Sequence, residues 1–439
     1  MILFTHHTGE PHGILGAQVA AKFLERRLSA PSIVVGIERD FSKEQLLRFV
    51  DTHYAGEAKR IAFTHLCGRK DLMDLARELK KGGFRTVLGG PQAREDYEGE
   101  PGTDAQPHRF KGLKSIIDMA FQGPVDGLRS EDLDTRTGVC EFSWKKNLFL
   151  EMDWSNVYTF SDTLKKLEIR LGQVLNAIGC PYAGKLQTVT LPPPVSLRGR
   201  RVGEMEVRSE GCIFCDVSRD KGYHGLVERD GVIAQIAGLP EMDGMKIPFE
   251  LIDEYPIRSL GQLLQETEKN GIKLSQMNLV CRVDDINEHA SVLTEVLSLA
   301  QKHNVKIMFA SIGFESFSDR LLHYFCKGIT VNDIARCIET LRRLKDRFPN
   351  HLLYRRDEGA NHGFIRPTPW DDPQTMREMD STLFLNRWHE DILPEHSTPL
   401  IIHHASYLGD WVRQIESTTG ITFGREGTWI EWWNPSLKE

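Results

Sequence analysis

The sequence predicts an α/β protein made of an N-terminal doubly wound parallel sheet, a partial β/α barrel and a C-terminal helical segment, in that order. Two observations predict this. Short apolar runs alternate with amphipathic helical patterns over the first hundred residues, and the alternation returns after Glu204 with longer spacings. A third observation locates function, because the later strand-like runs end one after another in cysteines, carboxylates, Arg or His. The expected divisions are residues 1–125 for the sheet domain, 126–200 for a linker and a helix, 201–378 for the barrel and 379–439 for a cap.

In the first unit, residues 1–5 read as a strand, and Leu15, Val19, Phe23 and Leu28 keep one face of the helix that follows. Residues 32–37 are a second strand. Ser42 and Gln45 then give a capping-box start to a helix carrying Leu46, Leu47 and Val50. Residues 61–64 and 86–88 are the third and fourth strands, separated by a helix with Leu72, Leu75, Ala76 and Leu79. A doubly wound sheet binds ligands at its strand carboxyl ends. Three tips there carry suitable residues: His6-His7-Thr8-Gly9 with His12, then Thr64-His65, then Gly89-Gly90-Pro91-Gln92. Glycine after a strand lets backbone approach a flat or phosphate-bearing ligand, although Gly-Gly-Pro is also an ordinary turn. No GxGxxG occurs, so a dinucleotide has no support.

Residues 115–121 read as a further helix. A long helix is expected from Ser161, with Leu164, Leu167, Leu171, Val174, Leu175 and Ile178 inward, ending at Gly179-Cys180-Pro181. From Glu204 the expected strands are residues 204–208, 246–252, 277–283, 305–312, and 352–355 or 363–366. The helices between them are 260–269, 290–303 and 331–347. Their ends lead in turn to Cys212 and Cys215, to Asp253 and Glu254, to Arg282, Asp284 and Asp285, to Glu315, and to Asn361, His362 and Arg366. A parallel barrel gathers function at those ends. A single carboxylate there is often only a helix cap. Five polar clusters around a Cys pair point to an active site. The last stretch is rich in Trp and His, which suits a docked helical cap or a lid over an apolar substrate.

Composition narrows the classes. The chain of 439 residues has 40% apolar residues, 27% charged residues and a net charge of −7, ordinary for a globular protein and without the basic excess a polyanion partner demands. Nucleic acid is therefore disfavoured. No basic segment leads into a long apolar run, and none approaches the roughly 20 apolar residues of a membrane span, so a cytoplasmic location is expected. Eight scattered cysteines do not resemble a disulfide framework, which makes Cys212-x-x-Cys215 a metal or redox pair. Two sulfurs two residues apart can bite one metal centre but rarely complete its shell.

The residues 204–347 resemble the radical S-adenosylmethionine enzymes. Gly211-Cys212-Ile213-Phe214-Cys215-Asp216 is similar to the second half of their cluster loop, Ile252-Asp253-Glu254-Tyr255-Pro256 to their Gly-Gly-Glu strand, and Ile312-Gly313-Phe314-Glu315-Ser316 with Lys327-Gly328-Ile329-Thr330 to their fourth strand and its helix. Residues 1–125, above all Thr86-Val87-Leu88-Gly89-Gly90-Pro91-Gln92-Ala93, resemble the cobalamin-binding domain that precedes this barrel in one large subclass. Two departures stand out. The family's C-x3-C-x2-C would place its first cysteine at Arg208, whereas Cys180 lies 32 positions before Cys212 in the Gly-Cys-Pro-Tyr context of that ligand. The cobalamin signature Asp-x-His-x-x-Gly is met only by Glu10-Pro11-His12 with Gly13 and Gly16.

The resemblance implies a 4Fe-4S cluster on Cys180, Cys212 and Cys215, with S-adenosyl-L-methionine on its open iron. It implies Asp253 and Glu254 at the methionine ammonium, Arg282 at its carboxylate and Glu315 at the ribose. Cobalamin would lie against His12, Thr64, Gly89, Gly90 and Pro91. His362 and Tyr354 are expected to move protons, and a flavodoxin or ferredoxin to supply electrons. The expected activity is methyl transfer to an unactivated carbon or a phosphorus of a small-molecule substrate. A cobalamin-dependent cyclase or rearrangement enzyme, and a non-catalytic zinc- or cobalamin-binding protein, are the alternatives. Cys281 or Glu210 could replace Cys180 in the shell, and His224 could join a zinc site.

Overall fold

The computed structural model describes residues 1–7, 14–54, 59–64, 66, 68–200, 202–215, 219, 222–392 and 397–436. The first sheet has strands β1 (Ile2–His6), β2 (Ile33–Ile37), β3 (Arg60–Phe63), β4 (Arg85–Leu88), β5 (Met119–Gln122), β6 (Gly138–Glu141), β7 (Val157–Phe160) and β8 (Leu164–Lys166). Their order is β6-β5-β4-β3-β1-β2-β7-β8, and only the β7–β8 pair is antiparallel. Alternation along the strands explains why helices cover both faces. Ile2, Phe4, Val35 and Ile37 pack with Leu46 and Val50 of α2 (Lys43–His53) and with Leu72, Leu75 and Leu79 of α3 (Lys70–Lys81). Leu3 and Val34 point the other way, onto Ala17, Ala21 and Leu24 of α1 (Leu15–Leu28). Ser42 caps α2 through Oγ, which accepts from the Gln45 amide at 3.4 Å.

Two expectations change here. The stretch expected as a helix at 115–121 contributes β5, buried between β4 and β6. The helix expected from Ser161 does not form. Of its apolar residues, Leu164 belongs to β8, Val174 and Leu175 to β9 (Gly172–Leu175) and Ile178 to a short strand Ala177–Gly179, while Leu167 and Leu171 fall between strands. Successive strands broken by turns imitate a helical period, and Gly172 argues for the strand, since a Cβ there would lie 2.4 Å from Leu239. Thus β7 and β8 still belong to the first sheet, and β9 already opens the second.

The second sheet runs β13-β12-β11-β10-β9, built from β10 (Phe249–Ile252), β11 (Gln276–Arg282), β12 (Lys306–Glu315) and β13 (Leu352–Leu353), with β14 (Gly363–Phe364) also on β12. All pairs are parallel, so the arc is a partial barrel whose strand ends share one rim. The helices Ile257–Lys269, Ala290–Lys302 and Val331–Arg347 lie close to their expected positions, and Thr330 with Asp333 forms a capping box on the last. The strand expected at 204–208 is Met205–Glu210, but it pairs antiparallel with Leu186–Leu191 as a hairpin outside the barrel sheet. The C-terminal part is not purely helical. Helices Pro373–Leu385 and Tyr407–Thr419 precede or flank a three-stranded antiparallel sheet of Ile402–His403, Thr422–Glu426 and Trp429–Ser436. No helix among the described residues is long and apolar enough to cross a membrane.

Candidate functional site

The barrel rim is assembled from the strand ends in order. Strand β9 ends at Leu175 and leads through Ala177–Gly179 to Cys180. The chain then departs into the hairpin Leu186–Leu191 and Met205–Glu210, whose register pairs Leu186 with Glu210. At its base the Gly211 amide donates to the Lys185 carbonyl at 2.9 Å, and Gln187 Nε2 donates to the Gly211 carbonyl at 3.2 Å. The long sequence gap between Cys180 and Cys212 is therefore folded away. Gly211, at φ 74°, sits against Ala183 and Tyr182, where a Cβ would come within 2.8 Å of backbone. Cys212 begins the next turn, closed by the Cys215 amide donating to the Cys212 carbonyl at 3.1 Å.

Arg282, at the end of β11, ties this rim together. Its Nη1 donates to Cys212 Sγ at 3.2 Å, Nε donates to Asp284 Oδ1 at 2.8 Å and to the Tyr255 hydroxyl at 3.1 Å, and Nη2 donates to the Lys327 carbonyl at 2.6 Å. Its guanidinium also stacks 3.8 Å from the Tyr182 ring centre. With these partners the side chain is 5% exposed, and Arg282 pins the cysteine loop to the end of β11. Burial pushes the Cys180 thiol up to about 11, Glu254 adds to the rise and Arg282 opposes it. Cys180, Cys212, Glu254 and Arg282 therefore share one electrostatic environment.

The carboxylates divide in role. Asp253 is 5% exposed; its Oδ2 accepts from Asn176 Nδ2 at 2.7 Å and its Oδ1 from the Tyr255 amide at 2.9 Å. Asp253 thereby braces the β9 and β10 ends. Glu254 is half-buried beside Cys180. Glu315 adopts φ 62°, a left-handed conformation rare outside glycine, at the end of β12. Its Oε1 accepts from the buried Lys327 Nζ at 2.9 Å, while Gly313 and Gly363 leave room that a Cβ at either would take from the carboxylate. Lys327, Asn176, Tyr182 and Tyr255 escaped the sequence reading. Lys327, Tyr182 and Tyr255 each stood inside a quoted motif, whereas Asn176 carried no signal.

His362 and Tyr354 are not at the rim. His362 is 4% exposed, its Nδ1 accepts from the Ile312 amide at 3.0 Å, and its Nε2 donates to the Tyr354 carbonyl at 2.7 Å. Burial depresses its pKa to about 4, so it stays neutral. Tyr354 is fully buried, its hydroxyl donates to Asp391 Oδ2 at 3.1 Å, and burial pushes its pKa up to about 12. Both are buried hydrogen-bonding residues. Cys281 is buried inside the barrel, with burial raising its thiol well above the usual range.

At the first sheet, Thr64 and the Gly89-Gly90 turn come together. Gly90 has φ 87°, and a Cβ there would lie 2.1 Å from the Thr64 carbonyl oxygen, so only glycine permits the approach. Pro91 is exposed beside it. His12 and His65 lie outside the described residues. Among the described residues, only Asp96, His403 and His404 bring three metal-type ligand atoms within 4.8 Å of one another.

No protein-family model matches the chain, and no curated protein matches it either. Among solved structures, the apo, selenomethionine-labelled form of the cobalamin-dependent S-adenosylmethionine radical enzyme OxsB is similar at 12% identity, with a TM-score of 0.51. The similarity covers 98% of this chain and 63% of that one, so the chain spans less than two thirds of the length of OxsB. The two proteins share an overall fold.

Proposed function

We propose that the protein is a cobalamin-dependent radical S-adenosylmethionine enzyme acting on a small organic molecule. One observation carries this reading: the hairpin base returns the chain so that Cys180, just after the short strand Ala177–Gly179, and Cys212 share the neighbourhood of Arg282. The fold shared with OxsB supports the class. When bound, a 4Fe-4S cluster with S-adenosylmethionine supplies a carbon-centred radical, and cobalamin supplies a methyl group. The donor set fits. Three thiols suit iron–sulfur ligation, and a thiol held protonated by burial becomes a thiolate on taking a metal centre. Glu254 is placed to accept from an ammonium group near Cys180. Arg282 Nη1 donates to Cys212 Sγ and fixes the position of that sulfur on the rim. Glu315, held by Lys327, is oriented to accept from hydroxyls. The Thr64 and Gly89-Gly90 backbone offers a flat approach for a corrinoid. An external donor such as flavodoxin or ferredoxin would supply electrons.

Methyl transfer to an unactivated carbon or phosphorus is the reaction this cofactor set favours. Anaerobic incubation with dithionite and S-adenosylmethionine tests the class: formation of 5′-deoxyadenosine supports it, and its absence from iron-replete protein refutes it. Appearance in the product of label from methyl-labelled S-adenosylmethionine then separates methyl transfer from cyclisation or rearrangement, which leave the product unlabelled.

A further inference from the structure

Arg282 brings a full positive charge to one sulfur of the cysteine loop. Its Nη1 donates to Cys212 Sγ at 3.2 Å from a side chain that is 5% exposed. A guanidinium stays charged in a protein, and a charge held away from water acts on its neighbours more strongly than one in solvent. Burial opposes the cation, yet Cys212 and, after it, Asp284 hold the guanidinium pKa above its ordinary value.

The charge is also fixed in place. Nε and Nη2 are taken by Asp284, the Tyr255 hydroxyl and the Lys327 carbonyl, which leaves Nη1 for the sulfur. The Tyr182 ring lies against the guanidinium at 3.8 Å and is itself anchored, its hydroxyl donating to the Cys326 carbonyl at 3.0 Å. Gly328 gives that hydroxyl room, since a Cβ there would lie 2.1 Å from it. The cation therefore needs no rearrangement to meet a change of charge on the loop.

Cys180 is served differently. After burial, Glu254 is the strongest opponent of charge on its sulfur, while the Tyr182 amide, Arg282 and the Ala183 amide favour it. The direct bond of the guanidinium goes to Cys212. A neutral donor would tie the Cys212 turn to β11 just as a pin must. What a guanidinium adds is an attraction that differs between the oxidation states of a metal centre on that sulfur, because reduction adds one negative charge.

We infer that Arg282, through its bond to Cys212 Sγ, raises the reduction potential of the metal centre on the cysteine loop and so makes that centre easier to reduce. This rests on the iron–sulfur reading above. The step concerned passes one electron from an external low-potential donor to the cluster; no bond forms or breaks and no proton moves. A cation beside a cluster sulfur favours the more negative, reduced state, and hydrogen bonding to that sulfur acts in the same direction. Asp284, 18% exposed, shares the guanidinium and cancels part of its field.

Potentiometric titration of the anaerobically reconstituted full chain, read by the electron paramagnetic resonance of the reduced cluster without S-adenosylmethionine, tests the inference. In Arg282→Gln the ratio of reduced to oxidised cluster at a fixed low potential should fall about tenfold, the factor for one charged hydrogen bond, which is about 59 mV for a one-electron couple. Arg282→Lys keeps a charge without the fork and should fall less. Asp284→Asn should shift the potential the other way, to less negative values, by freeing the cation from its counter-charge. Tyr255→Phe removes a bond to Arg282 but no charge, and should titrate with wild type. Unchanged potentials in both Arg282→Gln and Asp284→Asn overturn the inference, and so does an equal fall in Tyr255→Phe, which makes loosening of the loop the cause. If Arg282→Gln holds no cluster, Asp284→Asn decides alone. A wild type without an iron–sulfur cluster overturns the cluster reading and the inference with it, whereas a wild type with a cluster and variants with unmoved potentials overturn the inference only.

Discussion

Replacing Arg282 by Met separates a structural pin from a cofactor clamp. The guanidinium is 5% exposed, and its partner Asp284 is 18% exposed. Removing one member of a buried pair costs about 3–5 kcal/mol because the other charge is left uncompensated. Asp284 keeps the Tyr255 hydroxyl at 2.8 Å, which places the expected loss at the lower end, about 3 kcal/mol. Met preserves most of the apolar stem volume, so the loss belongs to the hydrogen bonds and the stacking on Tyr182. Urea unfolding followed by circular dichroism should show an earlier transition, and anaerobic reconstitution should incorporate less iron, since the Cys212 turn loses its tie to β11. Lys at this position keeps the charge but not the forked geometry, and should recover only part of the loss. A Met variant that unfolds with wild type and takes up full iron, yet binds S-adenosylmethionine weakly, would refute the pin and restore Arg282 as a clamp.

The other predictions follow from the same geometry. His362→Ala should lose about 2–4 kcal/mol, because a buried ring and two backbone partners are lost together, and the loss should appear in thermal unfolding rather than in the pH profile of turnover. A histidine near 4 when folded and near 6.5 when unfolded makes wild-type stability fall as pH drops from about 6.5 to 4, by about 3 kcal/mol in full; His362→Asn should flatten that slope in a pH series of melting curves. Tyr354→Phe should cost about 1 kcal/mol through the lost Asp391 bond, read in the same melts, with deoxyadenosine formation unchanged. Gly90→Ala should weaken hydroxocobalamin binding by more than tenfold in an absorbance titration, since the added carbon collides with the Thr64 carbonyl and demands positive φ.

Period-two and period-3.6 patterns made most strands and helices of both sheets readable, because each element buries one stripe. The pattern failed where strands are short. Between Ser161 and Cys180, three brief strands broken by turns mimic a helix, and β9, which starts the barrel, was hidden inside it. Its loss moved the first barrel strand to residues 204–208, which are one leg of a hairpin. Polar strand ends such as Glu254 and Glu315 were legible as a series, yet their roles were not. Whether a carboxylate faces ligand or braces a neighbour depends on partners such as Asn176 and Lys327 that only tertiary structure brings close. His362 is ambiguous in the sequence for the same reason, since a histidine near a strand end reads alike whether it faces the mouth or the core. The approach of Asp96 to His403 and His404 spans residues too distant for any local pattern.

The central claim is that Cys180 completes a cluster site with Cys212 and Cys215 across the hairpin. Iron and acid-labile sulfide, measured in anaerobically prepared wild type and Cys180→Ala, test it most directly. About four irons and about four sulfides per chain in the wild type, with loss of both in the variant, are predicted for a three-cysteine 4Fe-4S site. A colourless wild type holding zinc instead, or a Cys180→Ala protein with an unchanged iron content, would contradict it.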